Sequence, residues 1–80
     1  MNIEKMALIA QAISFEFEDQ IANKDKKELF VSLFDKYLNK VDPGITTDPY
    51  DAMVALAKKH PDLFENMVKE MTERKLISLD

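Results

Sequence analysis

The chain has no cysteine, one glycine, three prolines and one histidine among its 80 residues. Each shortage closes a route. Without cysteine there is no disulfide staple and no thiol chemistry, which fits a reducing, cytoplasmic setting. A single glycine cannot build a glycine-rich phosphate loop. Few prolines and glycines, with no low-complexity tract, leave little room for linkers. Serine occurs only at Ser14, Ser32 and Ser78, none in a nucleophile-elbow context. No apolar run approaches the ~18–20 residues of a membrane span. The run Met6-Ala7-Leu8-Ile9-Ala10 has no basic lead-in, and Glu16, Glu18 and Asp19 follow it where a cleavage site would stand. It does not read as a signal peptide.

Charge excludes more. The net charge is -4 and the isoelectric point about 4.9. A mild acidic excess keeps a small protein soluble and disfavours nonspecific nucleic-acid binding. It falls short of the dense carboxylate rows that mimicry of nucleic acid would need. The hydrophobic fraction of 46% is too high for a disordered chain and ordinary for a globular one. The length suits one domain over residues 1–80, with a small core and a thin stability margin.

What is present is helical periodicity. From Asp25 to Val41 the apolar residues Leu29, Phe30, Leu33, Phe34, Tyr37, Leu38 and Val41 recur at the three-and-four spacing of one helical face. They fill an arc of roughly 180°. Asp25 with Glu28 reads as a capping box, and Pro43-Gly44 as the stop. This second helix is expected to lie deepest. A first helix is expected from about Asn2 to Ala22, burying Ile3, Met6, Ala7, Ala10, Ile13, Phe17 and Ile21. The short link at Asn23-Lys24 favours antiparallel neighbours. Asp48 as cap and Pro49 at the first helical position start a third helix, with Tyr50, Met53, Val54, Leu56 and Ala57 on its apolar face. Pro61 ends it and opens a fourth, which carries Leu63, Phe64, Met67, Val68 and Met71. Ile45 is expected to plug the loop after the second helix. The terminal Leu76-Ile77-Ser78-Leu79 is too apolar for a free tail and is expected to pack back on the bundle or onto a partner. The fold class is therefore all-α, a compact four-helix bundle-like single domain.

Chemistry is poorly provided for. His60 stands between Lys59 and Pro61 with no orienting carboxylate at helical spacing, and reads as a helix C-terminal cation. Asp42, Asp48 and Asp51 surround the Pro-Gly loop, but the calcium-loop pattern fails. Counted from Asp42, its third, fifth and twelfth positions are Gly44, Thr46 and Met53. Turn and cap roles account for these carboxylates better. Met53, Met67 and Met71 read as core filling, with an adaptable groove as the other use. No enzyme activity, cofactor, metal or small-molecule substrate is expected.

Two binding readings remain. The third helix, the Pro61 turn and the fourth helix superficially resemble a helix-turn-helix, with Lys69, Arg74 and Lys75 outward. Glu65, Glu70 and Glu73 interleave with those cations, and a DNA-reading helix wants a clean basic face. The other reading rests on a second patch of the first helix, Leu8, Ala12 and Phe15, which points away from its main face. Apolar patches rimmed by charge mark partner surfaces. Leu8, Ala12 and Phe15 would be the anchors, with Lys5 and Asp19 on the rim. The competing use of the patch is burial within the monomer, should the first helix be sandwiched. The expected function is a small non-enzymatic regulator or inhibitor that covers a surface of another protein or of a second copy of itself. The helix-turn-helix DNA regulator is the alternative.

Overall fold

Asn2 begins the first helix: its side-chain oxygen accepts a hydrogen bond from the backbone N–H of Lys5 at 2.8 Å. That satisfies one of the donors every helix start leaves open. The structure, a computed structural model, describes residues 2–42 and 48–78. Among them are four helices, α1 (Ile3–Asp19), α2 (Lys24–Leu38), α3 (Pro49–Lys59) and α4 (Pro61–Glu73), and no strand. The chain is a small all-α domain, flat in outline, with principal extents of 31 × 31 × 17 Å. The expectations for Ile45, the Pro43-Gly44 turn and Leu79 fall outside the described residues.

The helix ends correct the sequence reading in three places. α2 is capped by Asn23, whose side chain accepts from Lys26 N–H at 3.3 Å, and Asp25 sits inside the first turn. Asparagine is as good a cap as aspartate, and here it comes first along the chain. The expected capping box of Asp25 with Glu28 is not used. At the far end α2 stops at Leu38, and the backbone tightens through Val41 N–H to Leu38 O at 3.0 Å and Asp42 N–H to the same oxygen at 2.9 Å. Val41 still packs against the core. α1 is likewise shorter than expected and ends at Asp19, where Gln20 N–H is shared between Glu16 O and Phe17 O. Ile3 and Ile21, expected on its buried face, lie beyond the core's reach and are exposed.

The start of α3 follows its sequence signals. Asp48 caps it by accepting from Tyr50 N–H at 3.0 Å, with Pro49 at the first position. His60 alone separates α3 from α4, with φ -139° and ψ 69°, outside the helical region that the following proline disfavours.

Burial decides which element is central. α2 contributes Phe30, Leu33, Phe34, Tyr37 and Leu38 to the core but keeps an exposed outer side. α3 is the enclosed helix: it packs against α1, α2 and α4. Each of its residues from Ala52 to Ala57 is buried or half-buried. A helix that is apolar all round belongs inside, and Ala52 and Ala57 admit neighbouring backbones closely. The expectation that α2 lies deepest is therefore corrected. The expected side-by-side pairing of α1 with α2 is replaced by α1 against α3. α1 reaches α2 mainly through Phe17, whose ring meets Phe30 and Phe34 edge-on at centroid distances of 5.6 and 5.3 Å. Such edge contacts add about 0.5–1.5 kcal/mol to the burial itself.

α4 closes with a complete Schellman motif. Leu76 N–H bonds Met71 O at 2.9 Å, and Lys75 N–H bonds Thr72 O at 3.0 Å. The chain reverses at Lys75, which takes a φ of 61°. That turn sends Leu76 and Ile77 back into the core, where both are buried.

A candidate interaction face on the first helix

α1 has two opposite sides. Met6, Ala10 and Ile13 are buried, with Ile9 and Phe17 packed against the same core. At ~100° per residue, Leu8, Ala12 and Phe15 fall on the far side. Leu8 is 66% exposed and Phe15 58%, the highest values among the exposed large apolar residues. Ala12, Lys5 and Asp19 are also exposed. The Phe15-Glu16-Phe17-Glu18 alternation thus splits its aromatics, Phe15 outward and Phe17 inward. All five of the expected face residues share one stripe, and none of the other three helices covers Leu8 or Phe15. Among the described residues nothing buries this patch, so its competing use within the monomer is not met there.

The stripe has a regular order. Lys5, Leu8, Ala12, Phe15 and Asp19 follow one another at steps of three, four, three and four. They occupy an arc of about 80° and a length of ~21 Å at 1.5 Å per residue. This is the seam spacing of paired helices. Its ends carry opposite charges and its middle is the smallest side chain.

Of the three cations expected outward on the fourth helix only Lys69 lies within α4; Arg74 caps its end and Lys75 stands in the turn beyond, all exposed, with Glu65 and Glu73 exposed among them. Glu70 is drawn aside: its Oε1 accepts from Lys36 Nζ at 2.6 Å and from the Tyr37 hydroxyl at 2.5 Å. The hydrogen bond from Lys36, then that from Tyr37, holds the Glu70 carboxyl below its ordinary range. Burial first, and the bond to Glu70 second, push the Tyr37 hydroxyl up. Lys36 is raised chiefly by its bond to Glu70. This cluster ties α2 to α4, and the sequence reading missed it. Sequence periodicity puts Tyr37 on the core face of α2 and Glu70 on the solvated face of α4. Residues 33 positions apart leave no periodic trace of their pairing.

Among the described residues, no three histidine, aspartate or glutamate side chains gather closely enough to hold a metal ion. No helix there is long and apolar enough to cross a membrane. His60 is the exposed residue joining α3 to α4. A one-residue joint is shorter than the three- or four-residue turn of a DNA-binding helix-turn-helix. A depression of about 350 Å³ lies beside Ser14, Phe17, Glu18, Ile21, Asp48 and Pro49. The Ser14 hydroxyl oxygen is buried there without a hydrogen-bond partner among the described residues. Compared with protein-family models, curated proteins and solved structures, the chain matches none.

Proposed function

We propose that this protein is a small non-enzymatic regulator or inhibitor that works by covering a surface of a partner protein, with the outer side of α1 as its contact. The reading rests on one observation: Leu8 and Phe15 stand 66% and 58% exposed on a helix whose opposite side is sealed in the core. Large apolar groups left in water on a rigid element, with Lys5 and Asp19 at the rim, suit an anchor-and-rim contact. Occlusion needs no bond made or broken, and the reading calls for no metal or nucleophile. The absence of cysteine suits a cytosolic setting.

The test is the paired change Leu8→Glu with Phe15→Glu. Circular dichroism establishes that the variant folds. Sedimentation, with affinity capture from the native host followed by mass spectrometry, reports assembly. A folded variant that no longer assembles is the expected result. A folded variant that assembles as the wild type does would discard the contact and the role built on it.

A further inference from the structure

We infer that the occupant of the α1 face is a second copy of this chain, laid antiparallel across a two-fold axis at Ala12. The inference builds on the binding role proposed above and names its partner. A two-fold contact requires a surface complementary to itself. In an antiparallel pair centred on Ala12, residue numbers facing each other sum to about 24. Lys5 then faces Asp19 of the second copy, and Asp19 faces Lys5, so both ends pair opposite charges. Leu8 faces Phe15 within one residue, and Phe15 faces Leu8. Ala12 faces Ala12, where the missing bulk lets the two backbones approach.

The alternatives are worse for the same residues. A parallel pair would set Lys5 against Lys5 and Asp19 against Asp19, repelling at both ends. A shift of one heptad either way would set a charge, Lys5 or Asp19, opposite Ala12. An unrelated partner would not require Lys5 and Asp19 to lie equally far, seven residues, on either side of Ala12.

The contact is small. Two large apolar side chains and one alanine on each copy fall below the ~800 Å² per partner of a standard interface. The dimer is accordingly weak, with a dissociation constant in the micromolar range or above. Its assembly is set by concentration, as suits a regulator whose face must also be free to act.

The absence of native cysteine allows a direct test of register. Single variants Ala12→Cys, Lys5→Cys and Asp19→Cys are oxidised mildly with copper–phenanthroline, with Asn66→Cys on the exposed side of α4 as control. Ala12→Cys should cross-link to itself well above the control. Lys5→Cys alone and Asp19→Cys alone should stay near the control, while their equal mixture gives the mixed dimer. Self-linking of Lys5→Cys at the rate of the mixture would overturn the antiparallel register. In sedimentation, Lys5→Asp and Asp19→Lys should each weaken the dimer about two- to fivefold or more, as exposed pairs do. The double exchange should restore it. A wild type that stays monomeric into the millimolar range and gives no Ala12→Cys cross-link overturns self-pairing. The wider binding role is judged separately, by whether host-protein capture is lost on Leu8→Glu with Phe15→Glu.

Discussion

Tyr37 of α2 donates its hydroxyl proton to Glu70 of α4 at 2.5 Å, on the same carboxylate oxygen that Lys36 holds at 2.6 Å. One acceptor therefore takes two donors that differ in exposure. Tyr37 is 7% exposed, whereas the Lys36 side chain is 58% exposed. The Lys36 arm is open to water and salt and contributes little. The Tyr37 arm is sheltered and should carry the coupling between the two helices.

Removing that arm gives the first prediction. Tyr37→Phe keeps the buried ring and deletes the donor, so stability to urea should fall by about 0.5–1.5 kcal/mol, the worth of one hydrogen bond. Lys36→Met should cost less. Equal losses would mean that the exposed pair is the stronger arm.

pH gives the second. The fold lowers the Glu70 carboxyl, so through the acid range the unfolded chain binds more protons at this position than the folded one. The stability Glu70 brings is present above the ordinary carboxylate range and is lost as pH falls through the lowered value. Tyr37 and Lys36 are both raised. What they bring is present below their ordinary values near pH ~10 and fades as pH climbs through the raised ones. Melting temperature should thus decline at both ends, and Glu70→Gln should flatten both declines. An unchanged acid slope in Glu70→Gln would assign that slope to other carboxylates.

The end of α4 gives the third. Lys75 holds a φ of 61°, which costs a residue with a Cβ about 1–2 kcal/mol. Glycine adopts it freely but loses more entropy on folding. Lys75→Gly should therefore stabilise by about 0.5–1 kcal/mol. Thermal or urea denaturation measures it, and a loss of stability would show that Lys75 makes a contact worth more than its strain.

The same turn shows what was legible in sequence and what was not. That Leu76 and Ile77 would be covered, by the bundle or by a partner, could be read from their polarity alone, and the bundle covers them. The turn itself could not, because the Schellman motif normally announces itself with glycine and here uses lysine. Helix identity and the opposite sides of α1 were legible because they depend on residues three and four apart. The central place of α3 was not taken from its sequence, although Ala52-Met53-Val54-Ala55-Leu56-Ala57 carries no charge in six residues. Alanine fills three of those six positions. Its small size, which lets three neighbours close around one helix, was the informative property. The pairing of Tyr37 with Glu70 had no local signature, since only the packing of α2 on α4 brings them together.

α1 supplies the last prediction, because the face proposed for binding must be separable from the core. Met6 and Leu8 are two residues apart, yet Met6 is 4% exposed and Leu8 66%. A domain of 80 residues has a stability of about 4–12 kcal/mol at ~0.05–0.15 per residue. Met6→Glu sets a carboxylate in an unpaired apolar site, which costs about 4 kcal/mol or more and should unfold much of the population. Leu8→Glu and Phe15→Glu place the same charge in water and should each alter stability by no more than about 0.5 kcal/mol. Urea titration of the three variants followed by circular dichroism separates the sides. If Leu8→Glu unfolds the chain as Met6→Glu does, the outer stripe belongs to the folding core and cannot be a surface held in reserve for a partner. If Leu8→Glu is as stable as the wild type, the leucine adds nothing to the fold and its side chain is free to serve a contact with another chain.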